Sequence, residues 1–122
     1  MVHVRAQDAV GRYGERVAAR WLTEAGMTVV ERNWRCRHGE IDILARDGDV
    51  LVVCEVKTRR SARAGTAAEA VTPAKLARLH DLTAEWLKTR PDVAPAGVRV
   101  DVVAVVPAER GPARVEHLRG VL

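Results

Sequence analysis

Two carboxylates and an amine are the side chains of this sequence best placed to do chemistry. Asp42 and Glu55 lie in two short, mostly apolar runs, residues 40–46 and 50–57, joined by the tight-turn signal Asp47-Gly48-Asp49. The runs therefore form a hairpin and bring the two acids onto neighbouring strands. Val or Ile would be the inexpensive choice there, because a buried lone carboxylate costs on the order of several kcal/mol unless it is paired or bound to a metal. Lys57 shares a strand face with Glu55, while Val56 points the other way. Two readings compete. One is a structural Glu55–Lys57 ion pair at a strand end, with Asp42 solvated at the hairpin edge. The other is a divalent-metal site, since two carboxylates, a backbone carbonyl and waters suit Mg²⁺. Lys57 would then hold or deprotonate a water. Glu40 is read either as an outer ligand on the face of Asp42 or as a solvated residue where its strand starts.

The elements that must position these groups are legible from periodicity. Val10, Tyr13, Val17, Ala18, Trp21, Leu22 and Ala25 recur at helical spacing over 6–25, with Gly26 at the C-cap. Glu15 falls at the edge of that apolar arc, beside Ala18 and Leu22. Gly11 and Gly14 cost helix stability but permit a close approach to the backbone. A strand over 27–33 follows. In the next, over 40–46, Glu40, Asp42 and Leu44 alternate with Ile41, Ile43 and Ala45. The run 50–57 is apolar enough for a central strand covered on both faces. A basic loop over 58–71 leads to Thr72-Pro73, an N-cap and first-turn pair. The helix carries the stripe Leu76, Leu79, Leu82, Trp86 and Leu87, and Pro91 closes it. Val98–Val106 is a strand interrupted by Arg99 and Asp101, and a weak strand covers 114–118. The order α-β-β-β-α-β(-β) predicts an α/β fold, a mixed β-sheet with flanking helices, in one domain over 1–122 with its core at roughly 6–118.

Composition narrows the function. The 122 residues are 48% hydrophobic, which suits one globular domain, yet Phe is absent and Val, Leu and Ala must fill the core. The net charge is +4 and the pI near 9.7. Two stretches concentrate the positive charge, Arg32, Arg35, Arg37 and His38, then Lys57, Arg59, Arg60 and Arg63, with no acid among them. Such clusters suit a polyanion, above all nucleic acid, although charge runs are usually solvated faces. Arg35, Arg37, Arg59, Arg60 and Arg63 are the expected phosphate contacts. Lys75, a cation in a first helical turn where the dipole disfavours it, is a further candidate. Trp34 either stacks on an unpaired base or packs. Asp101 is read as structural, paired with Arg99 on a solvated face or with another Arg. His3, His80 and His117 carry no signal. Cys36 and Cys54 form no disulfide framework, and Cys36-Arg37-His38 is half a zinc site without a second half. No apolar run reaches the roughly 20 residues of a membrane span, and the N-terminal residues lack a signal-peptide core. A reduced, cytoplasmic protein without membrane partners, nucleoid association included, is expected.

Asp42 followed by Glu55-Val56-Lys57 resembles the Asp…Glu-x-Lys signature of restriction-endonuclease-like nucleases. A wider set occurs in order: Gly11-x-x-Gly14-Glu15, Arg32-Asn33, Gly39-Glu40-Ile41-Asp42, Glu55-Val56-Lys57-Thr58-Arg59, Val71-x-x-x-Lys75 and Arg99-Val100-Asp101-Val102-Val103. Together they closely resemble the YraN-like family of small bacterial proteins, itself similar in fold to Holliday-junction resolvases. Cys54 and Val100 depart from the family's more usual Val and aromatic. The resemblance implies a metal-dependent endodeoxyribonuclease, its range extending to branched or junction DNA, with no small-molecule cofactor. Asp42, Glu55 and the Val56 carbonyl would hold Mg²⁺ or Mn²⁺, Lys57 would orient the water, and Glu15 would stand near the metal. A homodimer is expected by analogy with resolvases. The alternatives are a non-catalytic nucleic-acid-binding module and an RNA-associated factor.

Overall fold

A computed structural model describes residues 6–59 and 71–121. The chain runs α1 (Ala6–Glu24), β1 (Thr28–Cys36), β2 (Gly39–Asp47), β3 (Val50–Thr58), α2 (Pro73–Thr89), β4 (Gly97–Val106) and β5 (Arg114–Leu118). The expected order and mixed α/β sheet are therefore both present. The five strands lie in the order β1-β2-β3-β4-β5. Only the β3–β4 pair is parallel, with α2 between its two strands in sequence; the other neighbours are antiparallel.

One helix covers each face. Ala18 and Leu22 of α1 pack with Met27 against Ile43, Ala45, Val52, Cys54, Val103 and Val105. Leu79, Leu82 and Trp86 of α2 pack against Ile41, Leu44, Leu51, Val53 and Val100. With no Phe available, the single Trp86 is the largest fully buried side chain, and its Nε1–H donates to Glu31 Oε1 at 2.9 Å. Burial on both faces explains the unbroken apolar run of β3. Thr72 caps α2 by accepting from the Lys75 N–H at 3.1 Å, and Gly26 adopts the left-handed conformation (φ +96°) that ends α1.

Three expectations about the strands are corrected. β1 continues to Cys36 rather than ending at Asn33. Trp34 therefore sits within a strand and packs on the α2 side. Ile41 does not share a face with Ile43 and Ala45: it joins Leu44 against α2 while they face α1. The β1–β2 register shifts between Val29 and Glu31, and Asn33 takes a positive φ of 54° between the pairs Trp34↔Ile41 and Arg32↔Ile43. Asn tolerates this left-handed conformation better than most residues. Asp42 lies between Ile41 and Ile43, where the packed side changes.

Candidate active site

The β2–β3 ladder stops at Ile43↔Cys54. Beyond that pair the main-chain donor of Val56 turns to a side chain, donating to Asp42 Oδ2 at 2.8 Å. The two strands thus part where both acids lie. β3 keeps its register with β4 through Thr58, so strict alternation puts Val56 and Thr58 on the α1 side and Glu55 and Lys57 on the α2 side.

Asp42 is half-buried, not solvated at a hairpin edge. Its carboxyl is pushed up from the ordinary 3.8 to about 7. Burial is the largest cause, followed by the negative charge of Glu55; the Val56 N–H pulls the other way, and Glu15 and Glu40 push up further. Acids from α1, β2 and β3 therefore all act on one carboxyl. Gly14 is what brings α1 so close. A Cβ there would collide with Thr58 Oγ1, so only glycine lets the helix settle on the end of β3 and hold Glu15 in the field of Asp42. Gly11 has no such neighbour.

Glu55 is buried and takes a partner that differs from the expected one. Its Oε1 is 2.8 Å from Nζ of Lys75, in the first turn of α2. The Glu55–Lys57 ion pair is thereby corrected: Lys57 is half-buried and, among the described residues, makes no hydrogen bond or ion pair. Two side chains on one strand face are separated by the full two-residue repeat, whereas the ammonium of Lys75 reaches over from the helix layer. Lys75, read from sequence as a phosphate contact, is paired with Glu55.

The remaining candidates are more dispersed. Glu40 is exposed and bridges to Arg35, its register partner on β1, at 3.1 Å. Arg37 is exposed, its Nε donating to His38 Nε2 at 3.3 Å. Arg59 extends the sheet by one bond, its main-chain N–H donating to Val105 O at 2.8 Å. Arg60 and Arg63 lie outside the described residues. Among the described residues no three His, Cys, Asp or Glu side chains form a metal-ligand group. Asp42 and Glu55 are nonetheless hard oxygen donors, and a pair of carboxylates with waters is what a Mg²⁺-sized ion accepts. The chemistry of the donor set fits the ion.

Two residues carry structure that composition did not reveal. Asp101 is fully buried rather than on a solvated face. Arg99 clamps it with two bonds, Nε to Oδ1 at 2.9 Å and Nη2 to Oδ2 at 3.1 Å, while the Gly120 N–H donates to Oδ1 at 3.0 Å. Burial would raise the carboxyl, but these bonds and that to His117 outweigh it and hold it below its ordinary value. Arg99 also reaches Asp47 Oδ2 at 2.9 Å, tying the β2–β3 hairpin to β4. His117, silent in the sequence, contacts Asp101 Oδ2 through Nε2 at 2.9 Å and receives the Trp21 Nε1–H on Nδ1 at 3.1 Å. Since indole only donates, Nδ1 is the acceptor and Nε2 carries the hydrogen. Cys54 lies between the two acid groups, and burial pushes its thiol up. It is inert in that setting.

Residues 14–105 match the profile of the Uncharacterised protein family UPF0102. The UPF0102 protein of Kineococcus radiotolerans is 74% identical over 121 residues, covering 99% of both chains. That of Beutenbergia cavernae is 59% identical, covering 97% of this chain and 99% of its own. The UPF0102 protein SCO5602 of Streptomyces coelicolor is also 59% identical, covering 97% and 92%. The chain belongs to the UPF0102, or YraN, family.

Proposed function

We propose that this chain is a metal-dependent endonuclease that hydrolyses phosphodiester bonds of DNA, junction or branched DNA included. One observation carries the reading. Asp42 and Glu55 lie where β2 and β3 part, and burial first, then the charge of Glu55, pushes the Asp42 carboxyl up to about 7, a cost that a bound dication would relieve.

Asp42 and Glu55 would hold Mg²⁺ or Mn²⁺, with the Val56 carbonyl as a further donor. When bound, the ion supplies Lewis acidity toward a phosphoryl oxygen and a more acidic water. The chain's own groups do the rest. Lys57, half-buried and without a partner among the described residues, is available to orient a water and offset charge on the phosphate. Glu15 adds a negative field from the α1 side. Arg35, Arg37 and Arg59, with Arg60 and Arg63, would neutralise backbone phosphates. A homodimer would present two such sites to a junction.

The test is incubation of purified protein with end-labelled duplex, single-stranded and four-way-junction DNA, and with RNA, in Mg²⁺, Mn²⁺ or chelator. Metal-dependent cleavage of DNA that is lost in Asp42→Asn supports the reading. Binding without cleavage in every metal would make the chain a non-catalytic module, and cleavage or retention of RNA alone would make it an RNA factor.

A further inference from the structure

We infer that Lys75 is a resident counter-ion that a divalent cation must displace, and that the displaced ammonium then takes a phosphate oxygen of bound nucleic acid. The inference rests on the metal reading above and adds a residue and a coupling to it.

The position of Lys75 is costly for its own helix. It lies in the first turn of α2, where the exposed N–H groups give a partial positive charge, and no acid in that turn offsets it. Its main chain is fixed by Thr72, whose Oγ1 accepts the Lys75 N–H and whose carbonyl accepts the Leu76 N–H at 2.9 Å. What the side chain gains is Glu55, at 2.8 Å, on a carboxylate only 8% exposed. Without Lys75, Glu55 would lose this ion pair, and Lys57, on the same strand face, makes none with it.

A dication between Asp42 and Glu55 changes this balance. An ammonium on Glu55 Oε1 and a dication on the same carboxylate stand within a few ångströms and repel. Lys75 can leave: its side chain is 35% exposed, and its four-carbon stem is flexible and ends in a strongly hydrated charge. An ammonium released at the rim of the metal site, on a helix N-terminus that itself favours anions, is placed for a phosphate oxygen. The metal-free and metal-bound states would thus differ in where one positive charge points.

Lys75→Met keeps the stem and removes the charge. Titration calorimetry with Mn²⁺ alone, without DNA and at pH 8.5 where protons compete little, should show Mn²⁺ binding about tenfold tighter than to the unmodified chain, about 1.4 kcal/mol. A merely structural lysine would leave affinity unchanged or weaken it, and either result overturns the counter-ion role. No Mn²⁺ binding by the unmodified chain would instead remove the metal reading, and this inference with it. Lys75→Arg retains the charge and should not tighten Mn²⁺ binding; if it does, charge is not the cause. The phosphate step is read from DNA affinity against salt. Lys75→Met should flatten the log–log slope by about 0.9 in Ca²⁺ and leave it unchanged in chelator. Equal flattening in both, or in neither, overturns that step. Should Lys75→Met fail to fold, Lys75→Gln carries the same two measurements, and the unmodified chain's slope must still be steeper in Ca²⁺ than in chelator.

Discussion

Replacing Asp42 by Asn should stabilise the metal-free protein at pH 8. The Asp42 carboxyl ionises at about 7 in the fold against an ordinary 3.8. At 1.36 kcal/mol per pH unit, holding it ionised in the fold costs at most about 4 kcal/mol. The sign follows from the direction. A raised carboxyl contributes stability that is fully present below 3.8 and is lost as pH rises through about 7. Asn carries no charge to desolvate or to repel Glu55, but its amide oxygen is a weaker acceptor for the Val56 N–H that now binds Asp42 Oδ2. A net gain of about 1–3 kcal/mol remains, which for a domain of this size raises the melting temperature by about 3–6 °C per kcal/mol. Thermal melts in chelator from pH 5 to 8.5 provide the assay. The unmodified chain should lose stability across that range and Asp42→Asn should not. Millimolar Mn²⁺ should reverse the order at pH 8, because only the carboxylate form gains by mass action. A flat profile for the unmodified chain, together with an Asp42→Asn variant that melts lower in chelator, would refute the reasoning.

Lys57→Ala should lower DNA cleavage by about 10²-fold or more in a labelled-substrate assay. Its melting temperature should stay close to that of the unmodified chain, since no ion pair among the described residues is lost. Asp101→Ala should cost about 1–3 kcal/mol in urea unfolding, because it removes the buried acceptor of Arg99, His117 and the Gly120 N–H while Arg99 keeps Asp47. The depressed Asp101 carboxyl contributes stability that is present above the ordinary carboxylate range and lost as pH falls through its lower folded value, so Asp101 and Asp42 bend the pH profile from opposite ends. Gly14→Val should push α1 off Thr58, lowering both melting temperature and cleavage, while Gly11→Ala, with open space around it, should leave the fold intact or slightly stabilised. Replacing Arg35 and Arg37 together should flatten the salt dependence of DNA binding by roughly one unit per lost contact, and an unchanged slope would remove them from the interface.

The parts of this protein that were legible in the sequence are those that repeat. Apolar residues recur at helical spacing in α1 and α2, and the β-branched runs of β3 and β4 mark the strands, so element order and sheet class could be read off. Asp42 and Glu55 were legible for a related reason, since each is a carboxylate where packing alone calls for an aliphatic side chain. What escaped the sequence were single events that break periodicity or join distant segments. Nothing local in Asn33 or Ile41 announces that Ile41 packs on the α2 side while Ile43 packs on the α1 side. Lys75 lies 20 residues beyond Glu55, across a helix layer, while Lys57 is adjacent on the strand; spacing along the chain favours the wrong amine. His117 was silent because its two hydrogen bonds run to α1 and β4, 96 and 16 residues away.

That division bears on how the site works. The strand residues Asp42, Glu55 and Lys57 are set by β2 and β3, whose backbones are fixed by the buried sheet. The groups that adjust their charge, Glu15 from α1 and Lys75 from α2, arrive from opposite helix layers. Docking of α1 is thus felt at Asp42 and docking of α2 at Glu55. Gly14 admits α1 by the absence of a side chain, and Thr72 holds the first turn of α2 by a cap. A change in either docking alters the balance of charge at Asp42 and Glu55 without touching the strands that carry them. The sheet supplies position and the helices supply charge, so substitutions at the two classes should separate experimentally: strand residues should change whether a cation binds and a bond is cut, helix residues how tightly and over what pH range.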